Sequence, residues 1–96
     1  MYTVTFDQVK REFRVTLARE LFAVVEFERQ GNVFVITSTK VPESLQGMGY
    51  GKVMMERVLP EIEKMNGKVL AKCSYVVAYL ERNPQWQHLR VYTRHT

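Results

Sequence analysis

The stretch Gln46-Gly47-Met48-Gly49-Tyr50-Gly51 decides the fold, because it places three glycines within five residues between two segments of different periodicity. Upstream, residues 33–39 are rich in β-branched and aromatic side chains, which predicts a strand. Downstream, apolar residues recur at three- and four-residue spacing as far as Met65, which predicts an amphipathic helix. A strand, a glycine-rich loop, a helix and a further strand form a βαβ unit, so the two strands should be parallel.

Antiparallel strands are predicted ahead of this loop. Residues 12–17 alternate apolar and polar side chains, and residues 21–27 and 33–39 are rich in branched and aromatic ones, so we expect three consecutive strands. The segment Arg29-Gln30-Gly31-Asn32 joins the last two, and its glycine and asparagine tolerate positive φ, which indicates a hairpin. Pro42 ends the third strand because proline cannot donate to a sheet ladder.

The remainder of the chain predicts a helix, a strand and a second helix. The first helix should stop at Asn66-Gly67, a good C-terminal cap, and Pro60 should kink it or remove one hydrogen bond. Residues 68–73 read as a short buried strand, followed by a helix over residues 74–82 that Ser74 could cap. Residues 85–96 show no clear period. The predicted fold class is therefore α+β, an α/β sandwich with a mixed sheet, in one domain spanning residues 1–96.

Composition excludes several classes of protein. The chain has 96 residues, 46% apolar and 25% charged, as expected for one globular domain. No basic start precedes an apolar run, and no apolar stretch approaches the roughly 18 residues of a membrane span, so we expect a soluble, cytoplasmic protein without a membrane partner. One cysteine cannot form an internal disulfide, and His88 and His95 stand apart, so no metal site is expected.

The net charge of +4 lies in the C-terminal half, where residues 49–96 hold eight basic and four acidic side chains against six and six in residues 1–48. Such an excess suits a phosphate-bearing ligand or a nucleic acid, although on charge alone a solvated basic surface is the more common explanation. No nucleic-acid-binding motif or dense basic cluster is present, which argues against a nucleic-acid partner.

The glycine loop, residues 46–51, carries the chemistry. A helix that begins there points unpaired N–H groups outward, and these can bind a phosphate; the same glycines can equally serve only close packing. A Walker A loop is excluded because Val53 follows Lys52, and a dinucleotide-binding fold needs more βαβ units than this chain holds.

Two motifs resemble those of a known family. The glycine loop matches the Q/R-x-x-G-x-G/A signature of the GNAT superfamily of acyl-CoA-dependent N-acyltransferases. The segment Cys73-Ser74-Tyr75-Val76 with Asn83-Pro84-Gln85-Trp86 resembles the C-P/S-F/Y-V and H/N-P-x-Y/W ending of minimal single-domain GNAT-like acetyltransferases. The resemblance covers about residues 11–90, nearly the whole chain.

The resemblance implies a site for coenzyme A or acetyl-CoA. It places the pyrophosphate on the backbone amides of the glycine loop, with Lys52 nearby, and the pantetheine arm along the end of the preceding strand. The implied cofactor-binding residues are Thr39, Lys40, Val41, Gln46, Gly47, Met48, Gly49, Tyr50, Gly51 and Lys52.

The catalytic residues are less clear from the sequence. Relatives often show I-x-H-T-E/Y-V where this chain has Ser38 in place of the histidine and Lys40 in place of the acidic or aromatic residue, so an obvious general base is missing. Cys73 is either a packing residue or a thiol beside the cofactor, and Tyr79 either packs or donates a proton to the leaving thiolate. Glu43, Glu26 and Tyr79 remain candidate bases, each with an ordinary structural explanation.

The function implied is acetyl transfer from acetyl-CoA to a primary amine, directly within a ternary complex. The acceptor is an unidentified small molecule or protein, and its groove is formed by loops or with the help of a second subunit in a homodimer. The alternative is a non-catalytic module that binds coenzyme A or presents a basic surface.

Overall fold

The computed structural model describes residues 2–92 as one mixed six-stranded sheet whose strands lie in chain order. The strands are β1 (Thr3–Asp7), β2 (Glu12–Ala18), β3 (Leu21–Gln30), β4 (Val33–Lys40), β5 (Lys68–Ala71) and β6 (Arg90–Val91). The helices are α1 (Tyr50–Lys64) and α2 (Ser74–Arg82), with 3₁₀ turns at Glu43–Leu45 and Pro84–Leu89. The predicted α+β class is confirmed.

The N-terminal part of the sheet has four antiparallel strands rather than the three predicted. β1 pairs with β2 along its whole length, from Thr3 opposite Thr16 to Asp7 opposite Glu12. Its apolar side chains alternate with polar ones, and Phe6 packs against Phe13 with ring centroids 5.1 Å apart. The same alternation was available in the sequence, but five residues at a sheet edge give a weak pattern.

The βαβ unit is confirmed, because β4 and β5 pair in parallel from Val33 opposite Lys68 to Ile36 opposite Ala71. The last hydrogen bond between them runs from the Lys72 N–H to the Ile36 carbonyl, at 3.0 Å. Thr37 is an extra residue in the β3–β4 register, since Phe27 faces Ile36 whereas Glu26 faces Ser38. The bulge lies where pairing with β5 ends, directly after Ile36.

Both helices pack on the same face of the sheet, as two successive right-handed crossovers require. Four phenylalanines from the four antiparallel strands form the centre of the core, with Phe27 and Phe34 5.0 Å apart. α1 covers them with five buried side chains: Met54, Met55, Val58, Leu59 and Ile62.

The end of α1 follows the predicted cap. The Gly67 N–H donates to the Ile62 carbonyl at 2.9 Å, and the Asn66 N–H donates to the Glu63 carbonyl at 3.0 Å, which is a Schellman motif. Asn66 adopts the left-handed conformation at φ 57°. Gly67 is required for space, because a Cβ there would lie 2.8 Å from the Phe34 ring. The helix continues through Pro60, whose expected effect is the loss of one hydrogen bond.

Residues 84–91, which showed no period in the sequence, form the second 3₁₀ turn and β6. β6 pairs in parallel with β5, Val69 lying opposite Arg90. His88 fixes this segment, because its Nε2 lies 2.7 Å from a Glu63 carboxylate oxygen and its carbonyl accepts from the Lys68 ammonium at 2.8 Å. His95 lies outside the described residues.

Within residues 2–92, none of the helices has the length and apolar character that crossing a membrane requires. The same residues contain no group of three or more side chains suited to holding a metal ion.

Candidate active site

The glycine loop is attached to the end of β4. The Gln46 side-chain amide donates to the Val41 carbonyl at 3.1 Å, and its backbone N–H donates to the Glu43 carbonyl at 3.3 Å. Gly47 and Gly49 then adopt left-handed conformations, at φ 79° and 84°, which a residue with a side chain takes up only with strain. Gly49 is the N-cap of α1, so this path brings the helix start to the carboxyl edge of the sheet.

The three glycines of the loop serve two purposes. A Cβ placed on Gly47 or Gly49 would meet nothing within 4 Å, so both glycines border open space. Gly51 is different, because a Cβ there would overlap the Tyr75 hydroxyl and lie 2.8 Å from the Tyr75 Cζ. Gly51 therefore lets α1 and α2 approach, whereas Gly47 and Gly49 leave the space in front of the helix free for a ligand.

The start of α1 is suited to an anion. The helix is 15 residues long and its first turn contains no acidic residue. Lys52 lies in that turn with an exposed side chain. Unpaired N–H groups, the positive end of the helix dipole and this ammonium all favour negative charge at the loop. Tyr50 points elsewhere, since its ring packs edge-on against Tyr2 at 6.1 Å, and Met48 is 64% exposed on the loop.

β5 ends at Ala71, whereas β4 continues to Lys40 and leads into the loop. Beyond the last paired residues, Thr39 on β4 and Cys73 at the N-cap of α2 are in contact, with Oγ1 and Sγ 3.4 Å apart. Val41 is partly buried against the core, and Lys40 is exposed and lies 3.6 Å from the Glu26 carboxylate. The structure thus brings the predicted strand-end residues and Cys73 to one edge, next to the glycine loop.

The Cys73 thiol is more acidic than an ordinary cysteine. Partial burial opposes its ionisation, but the hydrogen bond with Thr39 and the nearby N–H groups of Val76 and Tyr75 outweigh that effect and lower its pKa. Those amides lie close to the sulfur without closing a capping hydrogen bond. A thiol at a helix start with a lowered pKa is more reactive at neutral pH.

Tyr79 lies apart from this contact, in a cavity between α1 and α2 that Thr39 and Cys73 do not line. Its side chain is 7% exposed, and its hydroxyl has no hydrogen-bond partner within residues 2–92. Burial, together with the charge of Glu56, raises the pKa of Tyr79, while the nearby Trp86 partly offsets the shift. The hydroxyl is therefore protonated at neutral pH and available to donate.

A contact that the sequence did not predict involves Ser38, at the position where the motif resemblance would place a histidine. The Ser38 hydroxyl donates to Glu26 at 2.6 Å, and Lys40 lies on the other carboxylate oxygen. The hydrogen bond from Ser38 is the largest effect and lowers the pKa of Glu26; burial opposes it, and the charge of Lys40 lowers the pKa further. Glu26 is thus a weaker base than a free glutamate. The Ser38–Glu26 pair could not be predicted from the sequence, because it depends on the bulge in the β3–β4 register.

Glu43, the remaining candidate base, is not hydrogen-bonded to Thr39 or Cys73 within the described residues. Glu43 is exposed in the first 3₁₀ turn and has no hydrogen bond or ion pair from its side chain within residues 2–92. His88 lies at the opposite end of α1, paired with Glu63. Among the residues described, no histidine is therefore near Thr39 and Cys73.

Comparison with known proteins agrees with this geometry. A solution structure of a GCN5-like protein from Staphylococcus aureus superposes with a TM-score of 0.69 at 23% identity, over 97% of this chain and 91% of that one. The fold is therefore that of GCN5-like proteins. The family model for GCN5-related N-acetyltransferases matches residues 12–89. The chain is an N-acetyltransferase domain and belongs to this family. No curated protein matches the sequence significantly.

Proposed function

We propose that the protein transfers acetyl from acetyl-CoA to a primary amine, directly and within a ternary complex. The observation that carries this proposal is the open space in front of Gly47 and Gly49 at the start of α1, beside the Thr39–Cys73 contact. A diphosphate fits the first feature, because backbone amides and Lys52 supply positive potential at the start of α1. β4 and β5 pair only as far as Ile36 and Ala71, and in this proposal the acyl chain reaches the thiol of Cys73 beyond that last pair.

Acetyl-CoA, when bound, supplies the activated acetyl thioester, and the chain positions it. In our proposal the amides of residues 46–51 and Lys52 bind the pyrophosphate, and the backbone of Thr39, Lys40 and Val41 lies along the pantetheine. Fixing the two reactants in line supplies most of the acceleration. Cys73 lies beside the reacting carbonyl, where its thiol can contact the leaving sulfur.

Proton transfer completes the reaction. The amine nitrogen forms the new bond to the acetyl carbon, the carbon–sulfur bond breaks, and the coenzyme leaves as a thiolate that takes a proton. Tyr79 is proposed as the donor, because its hydroxyl is buried and has no hydrogen-bond partner within the described residues. This role requires the leaving sulfur to reach the cavity between α1 and α2, which Thr39 and Cys73 do not line. The amine loses its proton to solvent, since Glu26 is a weak base held by Ser38.

A second candidate function is binding of coenzyme A without turnover. The observation that favours it is the Ser38–Glu26 pair, which occupies the place of a base without providing one. Turnover measurements distinguish the two candidates.

The test begins with binding. Titration calorimetry with CoA and acetyl-CoA should show one site in the wild type and none in Gly49→Asp, whose carboxylate repels the pyrophosphate. Gly31→Asp is the matched control, because Gly31 also has positive φ and open space but lies in the β3–β4 hairpin. Equal affinity in Gly49→Asp and wild type would reject the proposed site.

The second step measures turnover. Thiol release from acetyl-CoA is followed with a panel of primary amines, and the acetylated amine is identified by mass spectrometry. Tyr79→Phe should lower kcat and leave the dissociation constant of CoA unchanged. Binding without release of thiol from any amine would favour the non-catalytic alternative.

A further inference from the structure

A surface pocket of about 330 Å³ lies at the edge of the sheet opposite to the glycine loop. Two residues of the turn between β1 and β2 and two residues of β3 line it: Gln8, Arg11, Glu28 and Arg29. β4 begins at this edge, since Arg29 pairs with Phe34, and it runs from here towards the glycine loop. The pocket is therefore separate from the candidate active site.

The Arg29 guanidinium is held in place by two contacts. It lies over the Phe34 ring, 4.3 Å from the ring centroid, and its Nε donates to the Gly31 carbonyl at 3.3 Å. Within residues 2–92, its two terminal nitrogens have no hydrogen-bond partner, and the side chain forms no ion pair. A guanidinium can donate two parallel hydrogen bonds to a carboxylate, so Arg29 offers a preorganised site for one.

Arg11 is fixed through its backbone. Its carbonyl accepts from the Phe27 N–H at 3.0 Å, which ties the turn to β3. The Asp7 carboxylate accepts from the Lys10 N–H at 2.9 Å within the same turn. The Arg11 side chain is exposed, and in the described part of the chain it has no ion pair. A second guanidinium is thereby available to the same pocket.

Glu28 supplies an acceptor that neither arginine uses. Successive residues of a strand point to opposite faces of the sheet, so Glu28 and Arg29 flank the pocket from two sides of β3. The Glu28 carboxylate forms no ion pair among residues 2–92. Two guanidiniums and one carboxylate leave the lining of the pocket with a single net positive charge.

We propose that this pocket binds a dicarboxylic amino acid, a small molecule with two carboxylates and one ammonium group. The carboxylates accept hydrogen bonds from Arg11 and Arg29, and the ammonium donates to Glu28. Every charge of the ligand then meets one of opposite sign, and the net charges of ligand and pocket are opposite as well. A simple dianion would leave Glu28 facing a like charge, which lowers affinity. The inference does not depend on acetyl transfer.

The experiment compares three small molecules by NMR titration of the isotope-labelled full chain. L-glutamate carries all three charged groups, glutarate lacks the ammonium, and L-glutamine lacks the second carboxylate. At constant ionic strength, L-glutamate should shift the backbone amide signals of Arg11 and Arg29. It should bind about threefold more tightly than either of the other two, with a millimolar dissociation constant, because exposed charge pairs are individually weak.

Variants assign the preference to particular residues. Glu28→Gln should remove the preference for L-glutamate over glutarate, and Arg11→Gln should remove the preference over L-glutamine. The control is Arg19→Gln, which removes an exposed arginine from the turn between β2 and β3, outside the pocket, and should keep both preferences. The amide spectrum of each variant shows whether it is folded.

Two kinds of result overturn the inference. Equal affinities of the wild type for L-glutamate and glutarate, or an unchanged preference in Glu28→Gln, would reveal an anion site only. The absence of a saturable shift at about 50 mM L-glutamate would reject the pocket as a binding site altogether. Neither result bears on the proposed function, which calorimetry with CoA tests separately.

Discussion

Gly51 allows a test of how α1 and α2 pack at the candidate site. Gly51 is the second residue of α1, and a Cβ there would overlap the Tyr75 hydroxyl and lie 2.8 Å from its Cζ and 3.3 Å from its Cε1. Gly51→Ala therefore forces the Tyr75 ring to move. Tyr75 is 40% exposed, so the ring can turn towards solvent.

The expected magnitude follows from two opposing effects. Overpacking costs about 1–3 kcal/mol, and the exposure of Tyr75 favours the lower part of that range, about 1–2 kcal/mol. Alanine in place of glycine within a helix stabilises the folded state by about 0.5–1 kcal/mol, which opposes this cost. We expect Gly51→Ala to destabilise the wild type by up to about 1.5 kcal/mol, with the middle of the range at about 0.75 kcal/mol, or roughly 3–6 °C in Tm for a chain of this size.

The sign should reverse when Tyr75 is removed. In a Tyr75→Ala background the overlap is gone, so Gly51→Ala should stabilise the protein by up to about 1 kcal/mol. Urea unfolding followed by far-UV circular dichroism on the four proteins of this cycle gives the coupling free energy, expected at about 1–2 kcal/mol. A coupling below about 0.5 kcal/mol, the usual limit of additivity, would refute the packing of Tyr75 on Gly51.

Three further predictions concern the thiol, the helix cap and the reaction. Thr39→Val should shift the midpoint of iodoacetamide alkylation of Cys73 to higher pH, because it removes a hydrogen bond that lowers the pKa, whereas Thr37→Val, which does not contact the sulfur, should not. Gly67→Ala should reduce the free energy of unfolding by about 1–3 kcal/mol in urea, because its Cβ would lie 2.8 Å from a buried phenylalanine ring; an unchanged midpoint would contradict this close packing. If turnover is found, kcat/KM for an amine with a pKa of about 10.4 should keep rising between pH 6 and 8, and Ser38→His should raise the rate at pH 7; a plateau in the wild type would reveal a tuned base.

The sequence by itself determined the secondary-structure elements whose formation depends on a few neighbouring residues. The glycine loop, the apolar spacing of α1 and the cap at Asn66-Gly67 each act within a few residues, so their order could be predicted along with the parallel pairing of β4 and β5. The two motifs also identified the family, because they hold the residue types that the start of α1 and of α2 require. β1 and β6 were missed, since strands of five and two residues exist mainly through pairing with their neighbours.

Tertiary structure decided which side chains of the site meet. Ser38 contacts Glu26 because a bulge at Thr37 shifts the β3–β4 register, and a shift of one residue moves every later side chain to the other face. Thr39 and Cys73 are 34 residues apart and come together only beyond the last paired residues of β4 and β5. These contacts depend on strand register and on the packing of both helices against the sheet, which the whole chain sets and no local stretch of sequence encodes.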